Sequence, residues 1–309
     1  MLWFALLATL WSTAGCRQQS APTEQPCVVA SFFPLYDFAR TLGGTNFEVV
    51  CLVPPGGDPH AMEASPGAAR TVGRADLVLL LGLGMDGWLE KLAAGRGSNR
   101  TAMLSQGLPT RRLSKGQLAE FAEADHGHAH DVDPNEADPH VWLDPLLAQQ
   151  IVRQIAGELA RIAPSSRDAV FARRDAYVAE LQRLHEEYTA ALADVPRRQV
   201  VTFHGAFGYL FARYGLETVG VIEMFPGDEP SAAYLRKLVD LMRQLNMKVI
   251  FAEPQLPDQP ARVIAREVGG RVERLDPCET ILPDEPNATY LERQRRNLAT
   301  LRAVLSASP

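Results

Sequence analysis

The feature that most constrains this chain is a long stretch in mid-chain, residues 167–193, that contains neither glycine nor proline. Its apolar side chains recur at helical spacing among many charged ones, at Val170, Phe171, Tyr177, Val178, Leu181, Leu184, Tyr188 and Leu192. A helix of this length spans about 40 Å at 1.5 Å per residue, which is more than one small domain needs. We therefore expect a rigid helix that runs along two lobes.

Short apolar runs alternate with helical segments on both sides of that stretch. Before it, the pattern predicts strands at 27–34, 47–53 and 77–81 and helices at 36–42, 65–73 and 145–162. After it, the pattern predicts strands at 199–203, 217–222, 248–252 and 271–275 and helices at 205–214, 231–245, 259–268 and 290–305. Such alternation indicates α/β architecture with largely parallel sheets. We predict two similar α/β lobes joined by one long rigid helix, with the N-terminal lobe at 27–165, the linker helix at 166–195 and the C-terminal lobe at 196–309.

The N-terminus has the pattern of an export signal. Residues 1–16 form an apolar run that is shorter than the ~20 residues of a spanning helix and that ends in small residues before Cys16. This ending resembles the bacterial lipobox, which implies cleavage before Cys16 and a lipid on its sulfur. Residues 17–26 are polar and contain two prolines, so they predict a flexible tether. We expect a periplasmic or cell-surface lipoprotein; a soluble periplasmic protein cleaved elsewhere is the alternative, because no basic residue precedes the apolar run.

Three more cysteines follow, and an exported protein can oxidise them. Cys27 and Cys51 fall in adjacent predicted strands and are the candidate disulfide, with three unpaired thiols as the alternative. Cys278 is then left over. The chain has no CxxC pair, so a thiolate zinc site is not expected.

Three of the seven histidines occupy positions typical of a binding site. His60 follows the second predicted strand, His204 follows the first strand of the second lobe, and His140 lies in a loop before a helix. Ligands collect at the carboxyl ends of parallel strands, so the cleft between the lobes is the expected site. A fourth ligand should be an oxygen, with Asp276 as the first candidate and Glu253 as its competitor. Three imidazoles and a carboxylate suit zinc, whereas manganese prefers more oxygen.

Asp-Pro-His occurs twice, and the motifs around both copies carry a family resemblance. They are Gly57-Asp58-Pro59-His60 with Glu63 and Pro66, Asp138-Pro139-His140-Val141-Trp142-Leu143-Asp144-Pro145, Phe203-His204 with Gly208-Tyr209, Pro230-Ser231, Phe251-Glu253 and Leu275-Asp276-Pro277. With them the chain resembles the zinc and manganese receptors among bacterial ABC-transporter solute-binding proteins, which include the high-affinity zinc uptake receptor. The resemblance covers nearly everything after the tether.

The resemblance implies two α/β lobes on one long helix and a metal site of His60, His140, His204 and Asp276. Histidine at the third position goes with zinc in this family and glutamate with manganese, so Zn²⁺ is the expected ligand and Mn²⁺ the alternative. It also implies a monomer that delivers the ion to an ABC permease. In two places the chain departs from the family pattern: Gly205 stands where Asp commonly follows the histidine, and Cys278 stands where a small or apolar residue is common.

The histidines His126, His128 and His130 lie in an acidic stretch that resembles a short histidine-rich loop of zinc receptors, and an accessory role in holding cations is expected for them. His185 starts an HExxH-like run whose second histidine is replaced by Thr189, so we interpret it as a solvated helix residue.

The net charge and the four candidate metal ligands argue against two other classes of function. A net charge of −6 provides no basic face for nucleic acid. We expect no enzyme, because four protein ligands close a zinc site. A metallohydrolase remains an alternative in which water replaces Asp276 and Glu63 or Glu253 acts as base. An additional role as a surface adhesin is also open.

Overall fold

The computed structural model describes residues 25–95, 97, 100–113, 137–223 and 230–307. The expected signal peptide, Cys16, nearly all of the tether, and the three histidines His126, His128 and His130 lie outside these residues. In the described ranges, no helix combines the length and the apolar character needed to cross a membrane.

The N-terminal lobe is built on a parallel sheet. Its strands are β1 (Cys27–Ala30), β2 (Glu48–Cys51), β3 (Leu77–Leu80) and β4 (Thr101–Met103), and its helices are α1 (Phe33–Gly43), α2 (Pro66–Arg74), α3 (Gly87–Ala93) and α4 (Pro145–Ile162). Within the described residues the strand order is β2-β1-β3-β4. Every residue of β1 and β3 is buried, as expected for parallel strands covered by helices on both faces. The sequence did not predict α3 and β4, which are too short to show a clear period.

The C-terminal lobe repeats this plan. Its strands are β5 (Gln199–His204), β6 (Glu217–Glu223), β7 (Val249–Ala252) and β8 (Arg271–Arg274), and its helices are α6 (Gly208–Tyr214), α7 (Ala232–Gln244), α8 (Gln259–Glu267) and α9 (Tyr290–Leu305). The described strands form a parallel sheet ordered β6-β5-β7-β8. Helix α6 is shorter than predicted, because Gly205–Phe207 forms a separate 3-10 turn at the end of β5.

A helix of 26 residues, α5 (Arg167–Leu192), connects the lobes. At 1.5 Å per residue it is about 39 Å long. It packs against α1 and α4 of the N-terminal lobe and against α6 and α9 of the C-terminal lobe, and its buried residues join a core shared by both lobes. The predicted fold class, two parallel-sheet α/β lobes with one long helix, is confirmed. The lobe limits at 27–165, 166–195 and 196–309 stay a prediction.

No disulfide joins Cys27 and Cys51. They do lie on adjacent strands, but the register sets Cys27 opposite Glu48 and Cys51 opposite Ala30. The two cysteines are therefore staggered along the ladder and do not face each other.

Candidate metal site

Three histidines and one glutamate meet at the carboxyl ends of strands from both lobes. His60 lies in a 3-10 turn (Pro59–Ala61) beyond β2, and His140 directly precedes another 3-10 turn (Val141–Leu143). His204 is the last residue of β5, and Glu279 lies in the loop beyond β8. One ligand atom from each of the four lies within 4.8 Å of all the others.

The two Asp-Pro-His motifs share one local hydrogen bond. The Asp58 Oδ1 atom accepts a hydrogen bond from the His60 backbone N–H at 2.9 Å, and the Asp138 Oδ1 atom accepts one from the His140 backbone N–H at 3.0 Å. The intervening proline fixes φ and has no N–H to compete for the aspartate. Each copy therefore presents its imidazole from a stiff turn, which reduces the entropy lost when the ring binds a ligand.

Carboxylates orient two of the rings by contacting Nδ1. Asp138 Oδ1 lies 2.8 Å from His140 Nδ1, and Glu253 Oε1 lies 2.5 Å from His204 Nδ1. A carboxylate only accepts, so each Nδ1 carries the proton and each Nε2 could bind a cation. The two Nε2 atoms face each other at 3.3 Å.

Glu279 supplies the oxygen of the group. Its Oε1 atom lies 3.1 Å from His140 Nε2 and 3.5 Å from His60 Nε2. Glu279 and the rings of His140 and His204 are almost fully buried. Among the described residues, the buried His60 Nε2 and Glu279 Oε1 atoms make no hydrogen bond of good geometry. Buried polar atoms normally have a partner, and a bound cation would supply one to both atoms.

Asp276 does not take the position expected for it. Its two carboxylate oxygens each accept a 2.6 Å hydrogen bond from the guanidinium of Arg293, from Nη2 at Oδ1 and from Nε at Oδ2. Its backbone is held by Asn297, which accepts from its N–H at 2.8 Å and donates to its carbonyl at 2.6 Å. Asp276 is therefore committed to α9, and Glu279 occupies the expected place of Asp276 in the group.

The loop after β8 turns sharply between these two carboxylates. Cys278 has φ of +58°, a left-handed value that non-glycine residues rarely adopt, and its N–H donates to Asp276 Oδ1 at 2.8 Å. Trp142 Nε1 donates to the carbonyl of Pro277 at 2.7 Å, which fastens the loop to the other lobe. This turn brings Glu279 back towards the histidines. A sequence search would have found Glu279 only by treating every carboxylate within a few residues of the strand end as a candidate.

Glu253, the expected competitor, binds a histidine and is not in the ligand group. The family pattern commonly has an aspartate where this chain has Gly205. Here Glu253, from the end of β7, orients the ring of His204 by contacting its Nδ1 atom. An aspartate directly after His204 is thus unnecessary for that hydrogen bond.

Buried carboxylates control the protonation of the site. Burial would lower the pKa of His140, but the close carboxylates of Asp138 and Glu279 outweigh it and raise the pKa to about 10. Burial likewise opposes the charged form of His204, yet Glu253 raises its pKa. Burial would raise the pKa of Glu279, but the neighbouring histidines hold it well below its ordinary value. A cation at this place would therefore compete with protons for the imidazole nitrogens.

Comparison with known proteins assigns the chain to a family. The family of zinc-uptake complex component A, periplasmic (ZnuA), matches residues 28–304. The chain belongs to this family. It is 28% identical over 301 residues to the zinc-binding lipoprotein AdcA of Streptococcus pneumoniae, covering 96% of this chain and 60% of AdcA. It is 29% identical over 308 residues to the high-affinity zinc uptake system protein ZnuA of Bacillus subtilis, covering 98% and 94% respectively.

A solved member of the same fold is the laminin-binding protein Lmb of Streptococcus agalactiae. It shares 30% identity, with a TM-score of 0.77 over 91% of this chain and 99% of Lmb, and it is described as a bifunctional protein with adhesin and metal transporting activity. The family consists of substrate-binding receptors of transporters and not of enzymes, and its members include named lipoproteins. The chain spans about 60% of the length of AdcA.

One further histidine lies away from the group. His185 is on α5, where its Nδ1 atom lies 3.1 Å from the hydroxyl of Tyr214. It is thus partly packed against α6 rather than simply solvated.

Proposed function

We propose that this chain is the substrate-binding receptor of an ABC transporter, which captures Zn²⁺ outside the cytoplasmic membrane and delivers it to a permease. Three imidazoles and one carboxylate oxygen converge within 4.8 Å between the lobes, and this convergence most directly supports the function. The proposed ligands are His60, His140, His204 and Glu279. Nitrogen and oxygen donors in this number suit tetrahedral zinc, and the relatives named for zinc support the same ion.

Binding without catalysis agrees with this donor set. A catalytic zinc site keeps one position open for water and a general base nearby. Here Glu279 offers the fourth ligand atom, Glu253 is committed to His204, and Glu63 is exposed. The hydrolase alternative is therefore disfavoured.

A competition titration tests the function and separates zinc from manganese. The metal-stripped protein is titrated with each ion against a chromophoric chelator. We expect one tight zinc site per chain and much weaker manganese binding, because three of the four donors are nitrogens. Preference for manganese, or the lack of a tight site, would contradict a zinc receptor.

Histidine variants locate the site in the same assay. His140→Ala and His204→Ala should each weaken zinc binding sharply. His185→Ala is the matched control, since it removes an imidazole that lies outside the ligand group. Equal effects of the three changes would place the zinc site elsewhere.

Anchoring and an accessory loop belong to the same proposal. Cys16 would carry the lipid, and the protein would act as a monomer in the periplasm or at the cell surface. His126, His128 and His130 would hold cations weakly and pass them inward. Replacing these three by alanine should slow zinc uptake by the protein in stopped-flow measurements and leave the equilibrium affinity of the site nearly unchanged.

A second role as an adhesin is supported by one relative, Lmb, which is described as having adhesin activity as well as metal transport. Binding of the purified protein to immobilised laminin, with and without zinc, tests this role. Failure to bind would leave only the receptor function.

A further inference from the structure

Gln255 lies between two carboxylates that belong to different parts of the site. It follows β7 by way of Glu253 and Pro254, and its side chain is partly buried. Its Nε2 atom donates to Glu253 Oε2 at 2.8 Å and to Glu279 Oε2 at 3.4 Å. One amide nitrogen thus joins the carboxylate that orients His204 to the carboxylate that faces His60 and His140.

The chemistry of the amide fits this position. A primary amide has two N–H donors on one nitrogen, so it can serve two acceptor-only carboxylates at once without adding charge. In the opposite orientation the amide oxygen would face both carboxylates. All three groups accept hydrogen bonds, so none could form between them. A lysine at this position would place a second positive charge beside the bound metal ion, and a carboxylate would repel both neighbouring carboxylates.

The two oxygens of Glu279 are thereby given different tasks. Oε1 faces the Nε2 atoms of His140 and His60 at 3.1 Å and 3.5 Å, whereas Oε2 receives the amide of Gln255. An oxygen that accepts a hydrogen bond from the protein is a poorer second ligand, because binding a metal through both oxygens would require Glu279 to rotate away from Gln255. The longer distance to Oε2 makes this the weaker of the two bonds. The shorter bond to Glu253 holds the amide in place.

We propose that Gln255 is a positioning residue for metal specificity: it holds Glu279 in one-oxygen ligation and so favours four-coordinate zinc over manganese. With one oxygen from Glu279 the set is three nitrogens and one oxygen, the number that zinc prefers. With two oxygens it becomes five-coordinate and richer in oxygen, which moves the site towards manganese. Because this role presumes the zinc receptor proposed above, the unmodified protein is measured first.

Gln255→Leu removes both donors at similar size, and Gln259→Leu is the matched control. Gln259 is exposed at the start of α8, four positions further along the same segment. Zinc and manganese affinities are measured for the unmodified protein and both variants by chelator competition. We expect the ratio of zinc to manganese affinity to fall about tenfold in Gln255→Leu, within the range that residues behind a ligand commonly affect, and to stay unchanged in Gln259→Leu.

Cobalt provides a second readout that reports coordination number and not affinity. Four-coordinate Co²⁺ absorbs visible light several-fold more strongly than five-coordinate Co²⁺, so the bound cobalt spectrum should weaken in Gln255→Leu. Gln255→Asn is the second variant, for use if Gln255→Leu does not fold. It keeps the amide but shortens its reach by one methylene, and it should weaken the spectrum in the same way.

The results separate the two proposals. If the unmodified protein binds zinc no more tightly than manganese, the zinc receptor fails and the role of Gln255 fails with it. If the unmodified protein prefers zinc but neither Gln255 variant changes the zinc-to-manganese ratio or the cobalt spectrum, the receptor stands and Gln255 has no part in specificity. A parallel loss of affinity for both ions, with the ratio intact, also overturns the role.

Discussion

Replacing Asp276 by asparagine should destabilise the metal-free protein by about 3–5 kcal/mol, because it breaks a buried ion pair. The side chain of Asp276 is 8% exposed and that of Arg293 is 2% exposed, so water cannot replace the lost charge. Both guanidinium contacts are 2.6 Å long, and an asparagine has one oxygen with which to replace them. Arg293 would keep its bond to the carbonyl of Thr280 but would remain a buried, unpaired cation.

Glu279→Gln makes the same chemical change three residues further along and should behave differently. The free energy of unfolding of the metal-free protein should change by no more than about 1 kcal/mol, since the neighbouring histidines can release their protons when the carboxylate is lost. Zinc affinity, in contrast, should fall by more than ~10–100-fold, which is the usual loss when a residue that only hydrogen-bonds to a metal ligand is replaced.

Urea unfolding of the metal-free protein decides between these outcomes. With a slope of about 3 kcal/mol per M, the midpoint should fall by about 1–1.7 M for Asp276→Asn and by roughly 0.3 M or less for Glu279→Gln. The opposite pattern would refute the reasoning: a stable Asp276→Asn protein that no longer binds zinc, together with a Glu279→Gln protein that binds normally, would make Asp276 the ligand.

Three further outcomes follow from the contacts around the site. Neighbouring carboxylates raise the pKa of His140 to about 10 and also raise the pKa of His204. Zinc binding should therefore release protons, and the zinc affinity should rise with pH, which calorimetry in buffers of different ionisation enthalpy measures. Tyr209→Phe removes a hydroxyl that accepts from the backbone N–H of Arg111 and donates to the carbonyl of Asp138, and should cost about 1–2 kcal/mol in thermal or urea unfolding. Gly208→Ala would place a methyl 2.6 Å from Asp138 Oδ2, so it should disturb the carboxylate behind His140 and weaken zinc binding in the chelator assay, whereas unchanged affinity would mean that Asp138 does not orient the ring.

The histidines were predictable because each is tied to a local pattern. A strand end or an Asp-Pro-His turn depends on residues close in sequence, and the hydrogen bonds from the His60 and His140 backbones to aspartates two residues earlier are local in the same sense. The long helix was predictable for a similar reason, since its period and its lack of glycine and proline act over its own length.

The carboxylate that faces the histidines was not predictable in this way. Asp276 and Glu279 are carboxylates in the same loop, and nothing local distinguishes the residue that binds an arginine from the residue that faces the histidines. The distinction depends on Arg293, which reaches Asp276 from α9, and on the left-handed turn at Cys278. The same holds for Glu253, which acts on His204 from a neighbouring strand.

Residues close together in the chain specify the α/β alternation, the long helix and the positions of the three imidazoles, because each depends on short-range periodicity or on a turn. Contacts between distant segments select which carboxylate completes the group, which carboxylates orient the rings, and how Gln255 joins them. Those choices depend on side chains that meet across strands and lobes, where a difference of a few ångströms separates an ion pair from a ligand.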